Sequence, residues 1–157
     1  MAKEIERKFL VADSAWRDFV EAEISIRQFY LATGPGRTVR IRISNGVEAT
    51  LTLKFSGRGR GRDEFEYPIP LAEAEEMQAF ALGHVIEKTR HHVRHGGYLY
   101  EVDVFGGELE GLVVAELETP DTVPDGRLPG WLGRDVTSEA RYYNASLALG
   151  EIPEAAA

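Results

Sequence analysis

The chain has 157 residues, 43% of them hydrophobic, which predicts one domain over residues 1–157 with a sizeable core. Its 26 acidic and 18 basic residues give a net charge of -8, which argues against a general nucleic-acid surface. The absence of cysteine excludes disulfides and thiolate metal sites, so any metal would be a hard cation held by carboxylates or histidine. Without a signal segment or an 18-residue apolar run, we expect a cytoplasmic protein that does not enter a membrane.

The first predicted strand, residues 3–11, alternates charged and apolar side chains at the strand period of two. Its charged face carries Glu4, Glu6 and Lys8. Taken alone, this pattern is typical of the solvated side of a half-buried antiparallel strand. The same alternation returns in strand after strand, which favours a functional meaning.

Seven further strands follow from the alternation. We predict them at residues 24–32, in the two arms of a hairpin over residues 37–55, and at residues 62–67, 85–94, 98–105 and 112–119. Asn45-Gly46 suits the tight turn of the hairpin, because both residues tolerate a positive φ. The Gly-Arg loop at residues 57–62 lacks the spacing of a phosphate-cradling glycine motif, so we interpret it as a mobile loop.

Three helices are predicted, at residues 15–20, 71–82 and 139–149. In the first, Trp16, Phe19 and Val20 should form the buried side. In the second, Met77 and Phe80 are expected to be core contacts. The three helices would cover apolar strand faces.

The polar faces of the strands are almost entirely ionisable. The acids are Glu4, Glu6, Glu64, Glu66, Glu101, Asp103, Glu116 and Glu118, and the bases are Lys8, Arg40, Arg42, Lys54, Lys88 and Arg90. An ordinary outer surface would mix in Ser, Asn and Gln. We therefore predict a mainly β, α+β fold: a closed eight-stranded antiparallel barrel with the charges inside and the helices outside.

A charged interior has a definite chemical meaning. Clustered charges in a partly desolvated space are stable only when they are paired or coordinated. Excess acids should recruit a divalent metal, and the clustered cations should recruit an anion with several charges. Phosphate chains meet both demands, because guanidinium groups bind phosphate oxygens and Mg²⁺ bridges them to carboxylates.

At this point the chain resembles the CYTH domain proteins, also called triphosphate tunnel metalloenzymes, over about residues 3–150. The ExExK signature is present as Glu4, Glu6 and Lys8. Further matching segments are VRIRI, LTLK, RDEFE, EKTR, YEVDVF and AELE, followed by DVT at 135–137 and RYYN at 141–144. The resemblance is closest to the short bacterial tripolyphosphatases.

The resemblance implies roles for individual residues. The phosphate ligands would be Lys8, Arg40, Arg42, Lys54, Lys88 and Arg90, and the ligands of Mg²⁺ or Mn²⁺ would be Glu4, Glu6, Asp103, Glu116 and Glu118. Glu64, Glu66 and Glu101 would be further tunnel acids. Lys8 and Tyr30 resemble the pair that positions or activates the attacking water.

Reactions differ within the family. The compact chain favours metal-dependent hydrolysis of inorganic tripolyphosphate to pyrophosphate and phosphate. The alternatives are a class IV-type adenylate cyclase or a thiamine or nucleoside triphosphatase, and, from another class, a non-enzymatic polyphosphate-binding module. We expect a small triphosphate substrate, neither nucleic acid nor membrane as a partner, and a monomer or homodimer.

Overall fold

The computed structural model describes residues 5–56 and 62–150, which form nine strands in one antiparallel sheet. The strands are β1 Ile5–Val11, β2 Val20–Gly34, β3 Arg37–Ser44, β4 Glu48–Ser56, β5 Arg62–Ile69, β6 Leu82–His95, β7 Tyr98–Phe105, β8 Val113–Thr119 and β9 Leu132–Asp135. All eight predicted strands are confirmed, and β9 is an addition. Glu4 and most of the predicted Gly-Arg loop lie outside the described residues.

The prediction of a closed eight-stranded barrel is wrong. The strand order is β5-β4-β3-β2-β6-β7-β8-β1-β9, so β5 and β9 form the two edges. The physical reason is that β9 pairs with the edge of β1 that closure would need, with Phe9 opposite Asp135. At the other edge, Pro68 of β5 lacks an N–H for a further ladder, which suits an edge strand.

The hairpin between β3 and β4 turns where the sequence predicted. Asn45 has φ 53° and Gly46 has φ 68°, both in the left-handed region. Asn45 also ties the turn to β2, because its side-chain oxygen accepts the N–H of Ser25 and its own N–H donates to Ser25 O. This turn fixes the register that places Arg40 opposite Thr52 and Arg42 opposite Thr50.

Helices cover less of the chain than predicted. The regular helices are α1 Leu71–Met77 and α2 Asn144–Leu149, with short 3₁₀ turns at Ala15–Phe19, Gln78–Phe80 and Ala140–Tyr142. Trp16 is buried as expected, but Phe19 is 60% exposed and Phe80 is 74% exposed, so their assignment to the core is wrong. Phe19 belongs to a segment that is a 3₁₀ helix throughout, and Phe80 lies in the 3₁₀ turn that follows α1, so neither follows the 3.6-residue periodicity that placed them inward.

Hydrophobic residues on both faces of the sheet build the core. On the apolar face, Phe29, Ile41 and Ile43 pack with Ala74 of α1. Leu10 and Val114 instead share the charged face with the Lys8–Glu116 pair, and they pack with Leu147 of α2. The prediction that the helices cover the apolar side therefore holds for α1 and is wrong for α2, which packs on the charged side next to the site. Within residues 5–56 and 62–150, no helix combines the length and apolar character needed to span a bilayer.

Candidate active site

The charged faces of eight strands converge on one cavity of about 530 Å³, within the range of small-molecule sites. Every strand from β1 to β8 contributes to its wall although the sheet is open. Its cations are Lys8, Arg37, Arg40, Arg42, Lys54 and Arg90, and its carboxylates are Glu6, Glu64, Glu101, Glu116 and Glu118. Tyr30, Thr38, Ser56, Thr137, Tyr143, Asn144 and Ala145 complete the lining.

Two arginines of β3 dominate the positive side of the cavity. Arg40 is buried at 6% exposure, and its Nε has no hydrogen-bond partner among the described residues. Its Nη2 makes a long contact to Thr52 Oγ1 at 3.5 Å, and the guanidinium also hydrogen-bonds the Tyr30 hydroxyl. A buried guanidinium N–H without an acceptor is unfavourable, so this group is suited to an anionic ligand.

Arg42 lies in the same cationic cluster. Its Nε donates to Gln28 Oε1 on the paired strand at 2.8 Å. Burial, with the nearby charges of Arg40 and Arg90 acting in the same direction, lowers the pKa of Arg42 to about 10. The side chain is therefore charged at neutral pH, but it lies in a field that a bound anion would relieve.

Asp103 forms a buried ion network with two cations of β6. Arg90 donates to both carboxylate oxygens, from Nε at 2.8 Å and from Nη2 at 2.9 Å, and Lys88 Nζ lies 2.8 Å from Oδ2. Burial alone would raise the pKa of Asp103, but the charge of Lys88 and the hydrogen bonds of Arg90 outweigh it and hold that pKa well below its usual range. Burial also lowers the pKa of Lys88 to about 8, against the attraction of Asp103.

This network bears on two of the sequence-based assignments. Neither Lys88 nor Asp103 lines the cavity, and both oxygens of Asp103 are engaged by cations. Lys88 lies here as a counter-charge to Asp103, and Asp103 orients Arg90; the roles of Lys88 as a phosphate ligand and of Asp103 as a metal ligand stay predictions. Arg90 does reach the cavity, where its Nη1 is 3.5 Å from Glu101 Oε1.

Lys8 reaches the cavity from β1 and is nearly buried. Its Nζ donates to the main-chain oxygen of Tyr142 at 3.0 Å and lies 3.4 Å from Glu116 Oε1. Tyr30, the other half of the predicted pair, is bonded to Arg40 instead. Lys8 and Tyr30 are not on adjacent strands, since β6, β7 and β8 separate β2 from β1, but both side chains line the same cavity.

The hydroxyl of Tyr30 is tuned by opposing effects. Burial raises its pKa, and the charge and hydrogen bond of Arg40 act against this without reversing it. Tyr30 therefore keeps its proton at neutral pH. It is suited to donate a hydrogen bond to a phosphate or a water, and poorly suited to accept a proton.

The carboxylates gather on β1, β8 and β7. Glu6 lies directly opposite Glu118 across β1 and β8, and Glu101 lies opposite Glu116 across β7 and β8. Glu116 and Glu101 have cationic neighbours in Lys8 and Arg90. Within the described residues, no three carboxylate or imidazole groups lie close enough to hold a metal by themselves.

Other predicted residues fall into distinct places. Lys54 and Glu64 line the cavity from β4 and β5, whereas Glu66 is exposed and does not. Sequence reasoning missed two groups of lining residues, namely Arg37, Thr38 and Ser56 at one end and Thr137, Tyr143, Asn144 and Ala145 from the C-terminal segment. Thr38 could have been recognised, because it lies on the same face of its strand as Arg40. The C-terminal group lies outside the strands, so no alternation identifies it, and only the DVT and RYYN motifs pointed to this segment.

Comparison with protein families matches residues 2–149 to the CYTH domain. The chain belongs to the CYTH family. The resemblance seen in the ExExK signature and the later motifs is thereby confirmed over almost the whole chain.

Relatives of this CYTH protein are similar along their full length. An inorganic triphosphatase of Acetivibrio thermocellus is 40% identical over 148 residues, covering 94% of each chain. An inorganic triphosphatase of Nitrosomonas europaea is 38% identical over 150 residues, covering 93% of this chain and 97% of the relative. A crystal structure of an inorganic triphosphatase aligns with a TM-score of 0.74 and 33% identity over 98% of this chain and 99% of that chain.

The Asp103 network generates a stability prediction. Asp103→Asn should lower the free energy of unfolding by about 3 to 5 kcal/mol, because it leaves two cations near each other without their shared carboxylate. The measurement is urea unfolding at pH 7. Asp63→Asn is the matched control, since Asp63 is exposed on the edge strand β5, and its effect should stay within about 0.5 kcal/mol.

The same substitution should change the acid dependence of stability. A carboxyl group whose pKa is lowered by folding stabilises the protein at pH values above its pKa in the unfolded chain, which is about 4. This stabilisation is lost as the pH falls below that pKa. The wild-type protein should therefore lose stability more steeply below pH 4 than Asp103→Asn. Two results together would contradict the network: the same loss of stability below pH 4 in the wild type and in Asp103→Asn, and equally small effects of Asp103→Asn and Asp63→Asn at pH 7.

Proposed function

We propose that this CYTH protein hydrolyses inorganic tripolyphosphate to pyrophosphate and phosphate in the charged cavity. The observation that carries the proposal is the buried cationic cluster around Arg40, whose Nε lacks a partner among the described residues and whose field lowers the pKa of Arg42. A compact polyanion satisfies these groups, and the similar inorganic triphosphatases support a triphosphate as that anion. Arg40, Arg42, Lys54 and Arg90 would bind its oxygens.

A hard divalent cation, Mg²⁺ or Mn²⁺, fits the residues present. Glu6 and Glu118 face each other across paired strands, where like charges repel, and Glu116 is the next acid on the same face. The absence of a complete carboxylate cage among the described residues suits Mg²⁺, which is usually held by one or two carboxylates together with phosphate oxygens and water. When bound, the ion would neutralise charge on the phosphate chain. Glu4 stays a proposed ligand that lies outside the described residues.

The chain's own side chains supply the rest of the chemistry. Hydrolysis of a phosphoanhydride needs a water in line with the leaving group and neutralisation of charge on the transferring phosphoryl group. Arg42 and Arg90 would neutralise that charge with little reorganisation, because Gln28 and Asp103 already hold them in place. Lys8 and the protonated Tyr30 hydroxyl, which both line the cavity, would orient the attacking water and the terminal phosphate.

The substrate assignment is tested by phosphate release from tripolyphosphate, ATP and thiamine triphosphate at equal concentrations. Tripolyphosphate should give the highest kcat/KM. Arg40→Ala should lower it roughly tenfold to hundredfold, because a charged hydrogen bond typically contributes about 1.5 to 3 kcal/mol. Arg94→Ala is the matched control, since Arg94 is exposed, pairs with Glu21 and does not line the cavity. Preference for ATP with formation of cyclic AMP, or equal small effects of both variants, would contradict the proposal.

The metal proposal has a separate test. Excess EDTA should abolish phosphate release, and added Mg²⁺ or Mn²⁺ should restore it. Glu118→Gln should raise the metal concentration for half-maximal activity about tenfold or more with the fold retained, whereas the exposed Glu48→Gln should leave it unchanged. Full turnover by metal-free protein in EDTA would remove the metal from the reaction.

Lys8 and Tyr30 are tested by kinetics. Lys8→Ala and Tyr30→Phe should each lower kcat more than they raise KM, by about a hundredfold for Lys8, because they act on the transition state. If the two act as a unit, the double variant should be little worse than the worse single one. Tyr67→Phe, on the exposed edge strand, is the control. Near-normal kcat in Tyr30→Phe would exclude the tyrosine.

A further inference from the structure

The C-terminal segment from Asp135 to Tyr143 contacts Lys8 at three of its polar groups. The main-chain N–H of Lys8 donates to Thr137 Oγ1 at 3.0 Å, and its main-chain oxygen accepts the N–H of Val136 at 2.8 Å. Its ammonium donates to Tyr142 O at 3.0 Å. The position of this nearly buried lysine is therefore set largely by residues that lie 128 to 134 positions later in the sequence.

Asp135 fixes the direction of the Thr137 hydroxyl. The hydroxyl has two acceptors within reach, Lys8 O at 3.4 Å and Asp135 Oδ1 at 2.5 Å, and it donates its one proton to the nearer, ionised Asp135. The main-chain N–H of Thr137 donates to the same carboxylate oxygen at 2.9 Å. Asp135 Oδ2 in turn accepts Arg7 Nη2 at 2.9 Å. Because an ionised carboxylate only accepts hydrogen bonds, the proton of Thr137 points to Asp135 and its lone pairs remain available to Lys8 N–H.

The state of Asp135 agrees with this orientation. Burial alone would raise its pKa, but the hydrogen bonds from Thr137 and the charge of Arg7 outweigh burial and lower it. Asp135 is therefore ionised at neutral pH. Thr137 is also held from the other side, because Tyr143 Oη donates to its main-chain oxygen at 3.0 Å, and the ring of Tyr143 lies 5.7 Å from Lys8 Nζ.

We propose that Thr137, oriented by Asp135, is a positioning residue that sets Lys8 for the reaction. This rests on the proposed function, in which Lys8 acts on the transferring phosphoryl group. A displacement of the β1 main chain at Lys8 moves the base of a side chain whose tip meets Tyr142 and Glu116. Small errors of this kind lower kcat because the reacting groups lose their alignment, while ground-state binding by the arginines persists.

The variants separate positioning from simple stability. Thr137→Val has nearly the same shape but leaves Lys8 N–H without its acceptor. Thr137→Ser keeps the hydroxyl and should retain most of the activity. Asp135→Asn keeps the threonine but removes the charge that orients its hydroxyl, so its effect should be intermediate. If Thr137→Val does not fold, as judged from its melting temperature, Asp135→Asn takes its place in the comparison.

The experiment measures kcat and KM for phosphate release from tripolyphosphate in these variants, in Lys8→Ala and in the Lys8→Ala/Thr137→Val double variant, all with saturating Mg²⁺. Thr137→Val should lower kcat about tenfold with KM changed by less than about threefold. In the Lys8→Ala background it should change kcat by less than about twofold, because its effect passes through Lys8.

Three results would overturn the proposal. The first is a loss of kcat from Thr137→Val that is as large in the Lys8→Ala background as in the wild type, or an effect of Thr137→Val on KM alone. The second is a normal Thr137→Val beside an impaired Lys8→Ala, which would overturn this proposal and leave the proposed function intact. The third is a normal Lys8→Ala, which would remove the role of Lys8 in the proposed function and this proposal with it.

Discussion

Asp103 lies between Lys88 and Arg90, and the cationic wall of the cavity depends on that contact. Two cations this close, with Lys88 fully buried, would be strongly destabilising without a shared carboxylate. With it, Lys88 becomes a fixed positive charge beneath the site and Arg90 is held in one orientation at the cavity. The network thus converts a repulsive set of side chains into a preorganised surface for an anion.

The open sheet supports this arrangement differently from a closed barrel. Because β9 occupies the edge of β1, the C-terminal segment follows directly along the strand that carries Glu6 and Lys8. Segment and strand are then joined by Asp135, Thr137 and the main-chain oxygen of Tyr142. The two walls of the cavity therefore have separate supports. The β6–β7 hairpin holds Arg90 on the cationic wall, and the C-terminal segment holds Lys8 on β1, the strand that also carries the acidic Glu6.

Tyr30 shows how burial and charge divide the chemical roles. Burial raises its pKa and keeps it protonated, while the nearby Arg40 retains a buried N–H without a partner in the described part of the chain. The Tyr30 hydroxyl is thus ready to donate to a neutral or anionic oxygen, and the positively charged Arg40 is suited to an anion. Such division suits phosphoryl transfer, where positioning and electrostatic stabilisation supply most of the catalysis.

The strands and the charged face could be read from the sequence, because an alternation with period two is a local property of the backbone that survives folding, and the motifs on those strands indicated the family. The sequence also contained an unused signal: the two-residue turn at Gly96-Gly97 pairs His95 with Tyr98 and therefore Arg90 with Asp103. Only the tertiary structure decided which charged residues reach the cavity, since Lys88 and Arg90 share one face and differ only in depth. It also decided that β9 takes the edge of β1, because a four-residue strand has too little pattern to be recognised and its partner is more than 120 residues away.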